Sequence, residues 1–290
     1  MKKNFITALI ITLIASLLPT IIVRELFGGI PYLVPFTQIV ILTGSSIYLG
    51  FIKKRRRISQ YTFILTAIVA LQALAAIVQG MPWWRAFFDV NTFTGNFGGS
   101  ILIKFIFAIP VIALLLLFYK SPEETYLVKG DLSIKAERIG WLGIEENKIS
   151  WGRLAVISAL LISLGTLLLT LFTVTGLSVP DNLGKLPGHF PLIVIFALVN
   201  SFSEGIVYRS AVLGPLREVL SKDHAILIAA VFFGLAHYYG APSGIVGVAM
   251  SGLLGWYLCR SMYETKGFVS AWIIHFMQDV VIFSTIVIMG

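Results

Sequence analysis

Glu204, His237, His275 and Asp279 stand in stretches of the chain that are otherwise almost free of charge. Ionisable groups deep in apolar helices are costly and mark functional sites by default. Glu204 lies in Ser203-Glu204-Gly205-Ile206-Val207-Tyr208-Arg209, His237 in Phe233-Gly234-Leu235-Ala236-His237, and His275 in His275-Phe276-Met277-Gln278-Asp279. These residue types suit hydrolysis. A carboxylate in an apolar pocket can act as a general base on water, and a neighbouring imidazole can share that work and protonate a leaving amine. A second imidazole with an acid or amide beside it could hold a developing oxyanion. The same four side chains, Glu204, His237, His275 and Asp279, could instead bind zinc, and the metal would then activate the water. Spacing alone leaves both routes open, although the zinc signature H-E-x-x-H is absent.

The elements that must position these groups are membrane helices. The chain is 57% hydrophobic and 12% charged, against about a quarter charged in soluble domains. Nine apolar segments stand out, at 5–23, 30–52, 61–80, 101–119, 154–176, 191–216, 224–239, 244–259 and 268–288. About 20 apolar residues suffice to cross the hydrocarbon core, and spanning backbone must satisfy its own hydrogen bonds, so helices are expected rather than strands. The expectation is an all-α integral membrane protein with about eight or nine transmembrane helices. The short seventh and eighth segments are the weakest as full spans. The first segment, after Lys2 and Lys3, is too long for a signal peptide and has no A-x-A-like site after it, so it reads as an uncleaved span.

Three of these helices bring the polar groups to overlapping depths. At 1.5 Å per residue, Glu204 is roughly 18 Å from the inner end of its helix, His237 about 20 Å, and His275 and Asp279 about 10 and 16 Å. His275 and Asp279 are i, i+4 and share a face, as do Glu204 and Tyr208. Arg209 would point about 140° away from Glu204 on a regular helix, anchoring it to carbonyls or another acid. Phe233 and Tyr208 read as packing or pocket wall. Lys104 reads as a snorkelling residue near the outer end of its helix. Gly247, Ser251 and Gly255 form a small-residue stripe for close helix packing. Cys259 is the one cysteine and reads as packing, while His189 and His224 read as solvated helix or loop ends.

The net charge of +8 does not point to nucleic acid, because the basic residues lie between apolar segments. With a cytoplasmic N-terminus, 17 of the 22 Lys and Arg fall in inner loops and 3 in outer loops. That is a strong positive-inside bias, implying a multi-pass cell-membrane protein with an external C-terminus. Trp83 and Trp84 fall where an outer aromatic belt belongs. The polar stretch 121–150 reads as a cytoplasmic connector between a four-helix region, 1–120, and a C-terminal core, 151–290. Its segment Ile139-Gly140-Trp141-Leu142-Gly143-Ile144 suits the inner membrane surface.

The three motifs resemble those of the CPBP family of intramembrane peptidases, the Abi-like group of CAAX proteases and bacteriocin-processing enzymes. That family shows EExxxR, FxxxH and HxxxN or HxxxD on successive helices. Glu204 and Arg209 match the first motif, with Tyr208 at its usual aromatic site, Phe233 and His237 the second, and His275 and Asp279 the third. The resemblance covers about residues 190–282, and Trp141 to Gly152 looks like the entry to the family's core. It implies an endopeptidase in which Glu204 with His237 activates water and His275 with Asp279 stabilises the oxyanion. Its substrate would be a membrane-anchored peptide, a prenylated CAAX-type tail or a leader peptide. The family has been described both as metalloprotease and as glutamate-dependent, so zinc stays open as a cofactor. One position departs: the second Glu is Gly205, which leaves room for a catalytically degenerate relative that binds a membrane peptide or confers self-immunity.

Overall fold

A computed structural model describes residues 2–29, 33–175 and 182–289. The described residues are helical, with no strands. The expected boundaries at 30 and 176 lie outside them. The helices are α1 (Lys2–Ala15), α2 (Leu18–Phe27), α3 (Leu33–Gly50), α4 (Arg56–Gly80), α5 (Pro82–Phe87), α6 (Phe93–Phe118), α7 (Trp151–Thr175), α8 (Leu186–Glu204), α9 (Ala211–Leu216), α10 (Lys222–Ala236), α11 (Gly244–Thr265) and α12 (Val269–Met289). A π-helical stretch, Gly205–Ser210, joins α8 to α9.

Seven spans are long and apolar enough to cross a membrane, and the α1–α2 pair, bent by 53° next to Pro19, makes an eighth. All nine apolar segments are present as helix, but the seventh, α10, has 15 residues. That is ~22 Å of helix against a hydrocarbon core of ~30 Å, so it falls short of a full span by itself. The described chain is therefore a multi-pass helical membrane protein.

The basic loops gather at one end. Arg57 pairs with Glu218 at 2.9 Å, Arg217 donates to the Glu123 carbonyl at 3.2 Å, and the Phe5 ring stacks on His224 at 4.2 Å. At the other end Arg24 lies 4.6 Å over the Tyr239 ring. Segregation of the charged loops, counted in the sequence, is thus a property of the folded chain.

The connector is an ordered cap on the basic end. Its Asp131 N–H donates to the Thr265 carbonyl, and its Val128 carbonyl accepts from Phe268 N–H. Gly130 and Gly267 touch backbone to backbone, which a side chain at either position would prevent. The Ser133 hydroxyl and N–H bonds to Asp131 hold that exposed carboxylate below its usual range. Trp141 is exposed and contacts Trp256.

α10 and α11 form a close hairpin. Without side chains on Gly234 and Gly252, the Gly234 position can lie against the Val248 carbonyl and the Gly252 backbone. Gly255 receives the Phe233 ring, and Gly247 receives the Pro242 carbonyl. The small-residue stripe packs as expected, with Gly252 in the contact beside Gly247 and Gly255. This hairpin fixes the height of Phe233 and of the His237 that follows α10.

Candidate active site

The fold brings together Glu204, His275 and Asp279, all buried, and turns the half-buried His237 towards them. Glu204 ends α8. Its Oε2 lies 3.7 Å from His275 Nε2. The same nitrogen lies 3.6 Å from Asp279 Oδ1, one turn further along α12. The shared face expected for His275 and Asp279 is therefore present. Asp279 Oδ2 accepts from Asn200 Nδ2 at 3.0 Å. Phe233 stands between the two histidines, its ring centroid 4.4 Å from His237 and 5.8 Å from His275. Tyr208 packs edge-on to Phe233 and lines the cavity beside Glu204.

The two imidazoles are held in opposite tautomers. His237 Nδ1 lies 2.8 Å from the Phe233 carbonyl, which can only accept. The proton is therefore on Nδ1, and a neutral ring leaves Nε2 as an acceptor. His275 Nδ1 lies 3.3 Å from Arg209 Nη2, and a guanidinium can only donate. Here the proton is on Nε2, between the two carboxylates. One ring can take a proton and the other can give a hydrogen bond.

Arg209 differs from the expectation of a side chain turned away from Glu204. It is fully buried and donates to the Ser201 carbonyl at 3.2 Å as well as to His275. The π-helical turn is the reason. Hydrogen bonds from i to i+5 widen the turn, so residue 209 comes to lie nearly over residue 204. The carbonyl anchor was expected from the sequence, while the contact with a catalytic imidazole was not.

Gly205 takes the place of the second motif carboxylate, and its space is filled. A Cβ there would collide with the Phe268 ring and lie 2.7 Å from Arg209 Nη2. Arg209 Nε and Nη1 have no protein partner among the described residues. A carboxylate at 205 would have stood beside this guanidinium, and a phenyl ring stands there instead.

Lys104 is the main surprise. It was expected to snorkel towards the outer surface. Instead its Nζ donates to Glu204 Oε1 at 2.8 Å and to Asn200 Oδ1 at 2.8 Å. α6 starts at Phe93, capped by Thr92 accepting from Gly95 N–H, so Lys104 is three turns inside the helix. Asn200, a neutral residue, was not singled out either. Lys104, Glu204, Tyr208, Gln72 and Gln79 line a cavity of about 290 Å³ whose other walls are mostly apolar side chains of α4 and α6.

The four donors expected to serve a metal do not fit one. An ammonium occupies Glu204 Oε1, a guanidinium faces His275 Nδ1, and His275 Nε2 presents a hydrogen rather than a lone pair. Zinc needs deprotonated ligands with free lone pairs converging on one point. Among the described residues no group of three or more His, Cys, Asp or Glu side chains is arranged to hold a metal ion. The zinc reading of Glu204, His237, His275 and Asp279 is not carried further. Cys259 is buried, as expected. His224 stacks on Phe5 and bonds Ser221, so it is a packed helix end rather than a freely solvated one. His189 is exposed beside its own helix start.

Fold and site together are those of a polytopic helical membrane protein with a buried carboxylate–imidazole centre. Residues 186–281 match the family model Rce1-like, described as type II CAAX prenyl endopeptidase Rce1-like, which places this third of the chain in the CPBP/CAAX protease family. The matched stretch holds Glu204, Arg209, Phe233, His237, His275 and Asp279, and leaves out Lys104. A search of curated proteins returned no match, and neither did a search of solved structures.

Proposed function

We propose that this protein is an intramembrane endopeptidase that cleaves a membrane-anchored peptide with water activated by Glu204 and His237. The observation that carries the reading is the division of labour between the imidazoles. His237 offers a free Nε2 that can accept the proton of a water or pass one to a leaving amine. His275 offers an Nε2–H, backed by Asp279, to an oxyanion forming beside Glu204. Glu204 keeps one oxygen fixed on Lys104 and one free of short contacts. Tyr208 and Phe233 form the wall against which the substrate backbone lies, and Arg209 sets the His275 tautomer.

The substrate is a peptide tail held at the membrane by an apolar anchor, a prenylated CAAX-type tail being the form the family points to. The mostly apolar cavity that opens on Glu204 supports this choice. The end that gathers the basic loops faces the cytoplasm, by the positive-inside bias, and the C-terminus lies on the far side. No step needs a metal.

The test is cleavage of a library of lipidated peptides by the purified protein in lipid nanodiscs. Wild type is expected to cut, in chelator as in added zinc, and Glu204→Ala and His237→Ala are not. Failure of wild type to cut under any metal condition overturns the reading. Loss in chelator with recovery in zinc overturns the metal-free mechanism.

A further inference from the structure

Lys104 lies on α6, outside the stretch that matches the family, and no role assigned so far belongs to it. Its ammonium closes a ring of polar contacts. From Nζ the ring runs to Glu204 Oε1 at 2.8 Å, and from Glu204 Oε2 to His275 Nε2 at 3.7 Å. It continues to Asp279 Oδ1 at 3.6 Å, and from Asp279 Oδ2 to Asn200 Nδ2 at 3.0 Å. It returns from Asn200 Oδ1 to Nζ at 2.8 Å. Asn200 and Glu204 are i, i+4 on α8, so both project towards α6. Each offers an oxygen there, and oxygens cannot bond one another without a shared donor.

We propose that Lys104 is a positioning residue for the hydrolytic reaction. It holds Glu204 by Oε1, which leaves Oε2 facing the His275 Nε2–H, and through Asn200 it holds Asp279 against the same nitrogen. An ammonium has three donors and a compact charge, so two can fix the ring while the third stays available. The Lys104 side chain is 44% exposed, against 11% for Glu204, so the third donor faces the cavity rather than the protein core. The active site is therefore composite. Its family-type part carries the reacting groups, and the preceding helical region supplies the pin that aligns them. That region is more than a scaffold.

The kinetic part of this inference rests on the endopeptidase reading, so two readouts are needed. In nanodiscs, full-length Lys104→Met is expected to lose about 100-fold in kcat, the scale of a small misalignment of reacting groups, with KM changed by less than about twofold. Ethylammonium should restore part of the activity of Lys104→Ala, and tetramethylammonium, which has no N–H donor, should not. The second readout is independent of catalysis. Thermal unfolding of Lys104→Met, Glu204→Gln and the double variant should be non-additive, with the double variant melting within about 2 °C of the lower single variant. Unchanged kcat in Lys104→Met overturns the proposal, as does lost activity that no amine restores together with additive melting shifts. If wild type cleaves nothing, the endopeptidase reading fails, and the melting cycle alone decides whether Lys104 holds Glu204: coupling upholds the pin and additivity overturns it.

Discussion

Two buried glutamates in this protein are treated in opposite ways. Glu264, at the basic end of α11, has both oxygens saturated. Trp151 Nε1 at 2.7 Å and Glu137 N–H at 3.0 Å donate to Oε2, while Lys222 and Arg260, both at 2.8 Å, donate to Oε1. Glu204, in the middle of its span, has one short bond on Oε1, and its Oε2 has nothing nearer than the His275 nitrogen at 3.7 Å. A carboxylate surrounded by donors has no lone pair left for a proton and serves to tie elements together. A carboxylate gripped on one side and free on the other is oriented but still able to react. The first joins the connector, α7, α10 and α11 into a cap. The second can do chemistry.

Substitutions can break this contrast or sharpen it. The largest effect should come from Glu204→Gln, which keeps the shape but removes the base. Peptide cleavage should fall by roughly a thousandfold, within the range for loss of a general base, while the melting temperature in nanodiscs stays close to wild type. A large loss of stability there would make Glu204 a second structural glutamate. Glu264→Ala should do the reverse. It leaves Lys222 and Arg260 facing each other without their shared acid, at a cost of about 3 kcal/mol. Thermal unfolding should show the loss, with activity per folded molecule retained. Next comes Gly205→Glu, which drives a side chain into the Phe268 ring and should cost about 2 kcal/mol by overpacking. Adding Phe268→Ala should return most of that stability and give Arg209 an acid partner. If the single substitution is neutral in a melting assay, the filled-space account of Gly205 is wrong. The smallest effect should be Trp151→Phe, which removes one of four donors from Glu264 for about 1 kcal/mol and leaves cleavage rates unchanged.

Much of the site was legible in the sequence because charge is scarce in membrane helices. Glu204, His275 and Asp279 could be placed by depth and by i, i+4 spacing, and they meet. Lys104 was misplaced because hydropathy starts its helix at 101. The stretch Phe93-Thr94-Gly95-Asn96-Phe97-Gly98-Gly99-Ser100 is too polar and glycine-rich to read as span, yet it is helical and carries α6 outward by more than two turns. A residue that looked terminal is therefore deep. Asn200 is uncharged, so the search for costly groups passed over it. Arg209 was turned the wrong way because the 3.6-residue period was applied across a turn that does not obey it. The full width of α10 was overestimated because Tyr238 and Tyr239 continue the apolar run beyond the point where the helix stops at Ala236. Glu264 drew no notice, since an acid near a loop reads as solvated until its four donors are seen.

The π-helical turn at Gly205–Ser210 also has a genetic consequence. It carries one residue more than an α-helical turn over the same rise, so the span contains a built-in insertion. Loss of a single codon between Glu204 and Arg209 would let this stretch close up into ordinary helix, a locally more comfortable state. Arg209 would then become the fourth residue after Glu204 rather than the fifth, and everything up to Leu216 would rotate by about 100°. Such a deletion would pass as mild on any scale of helix propensity while taking the guanidinium off His275. In this short window the reading frame of the helix, rather than the chemistry of any one side chain, is what a lineage cannot lose.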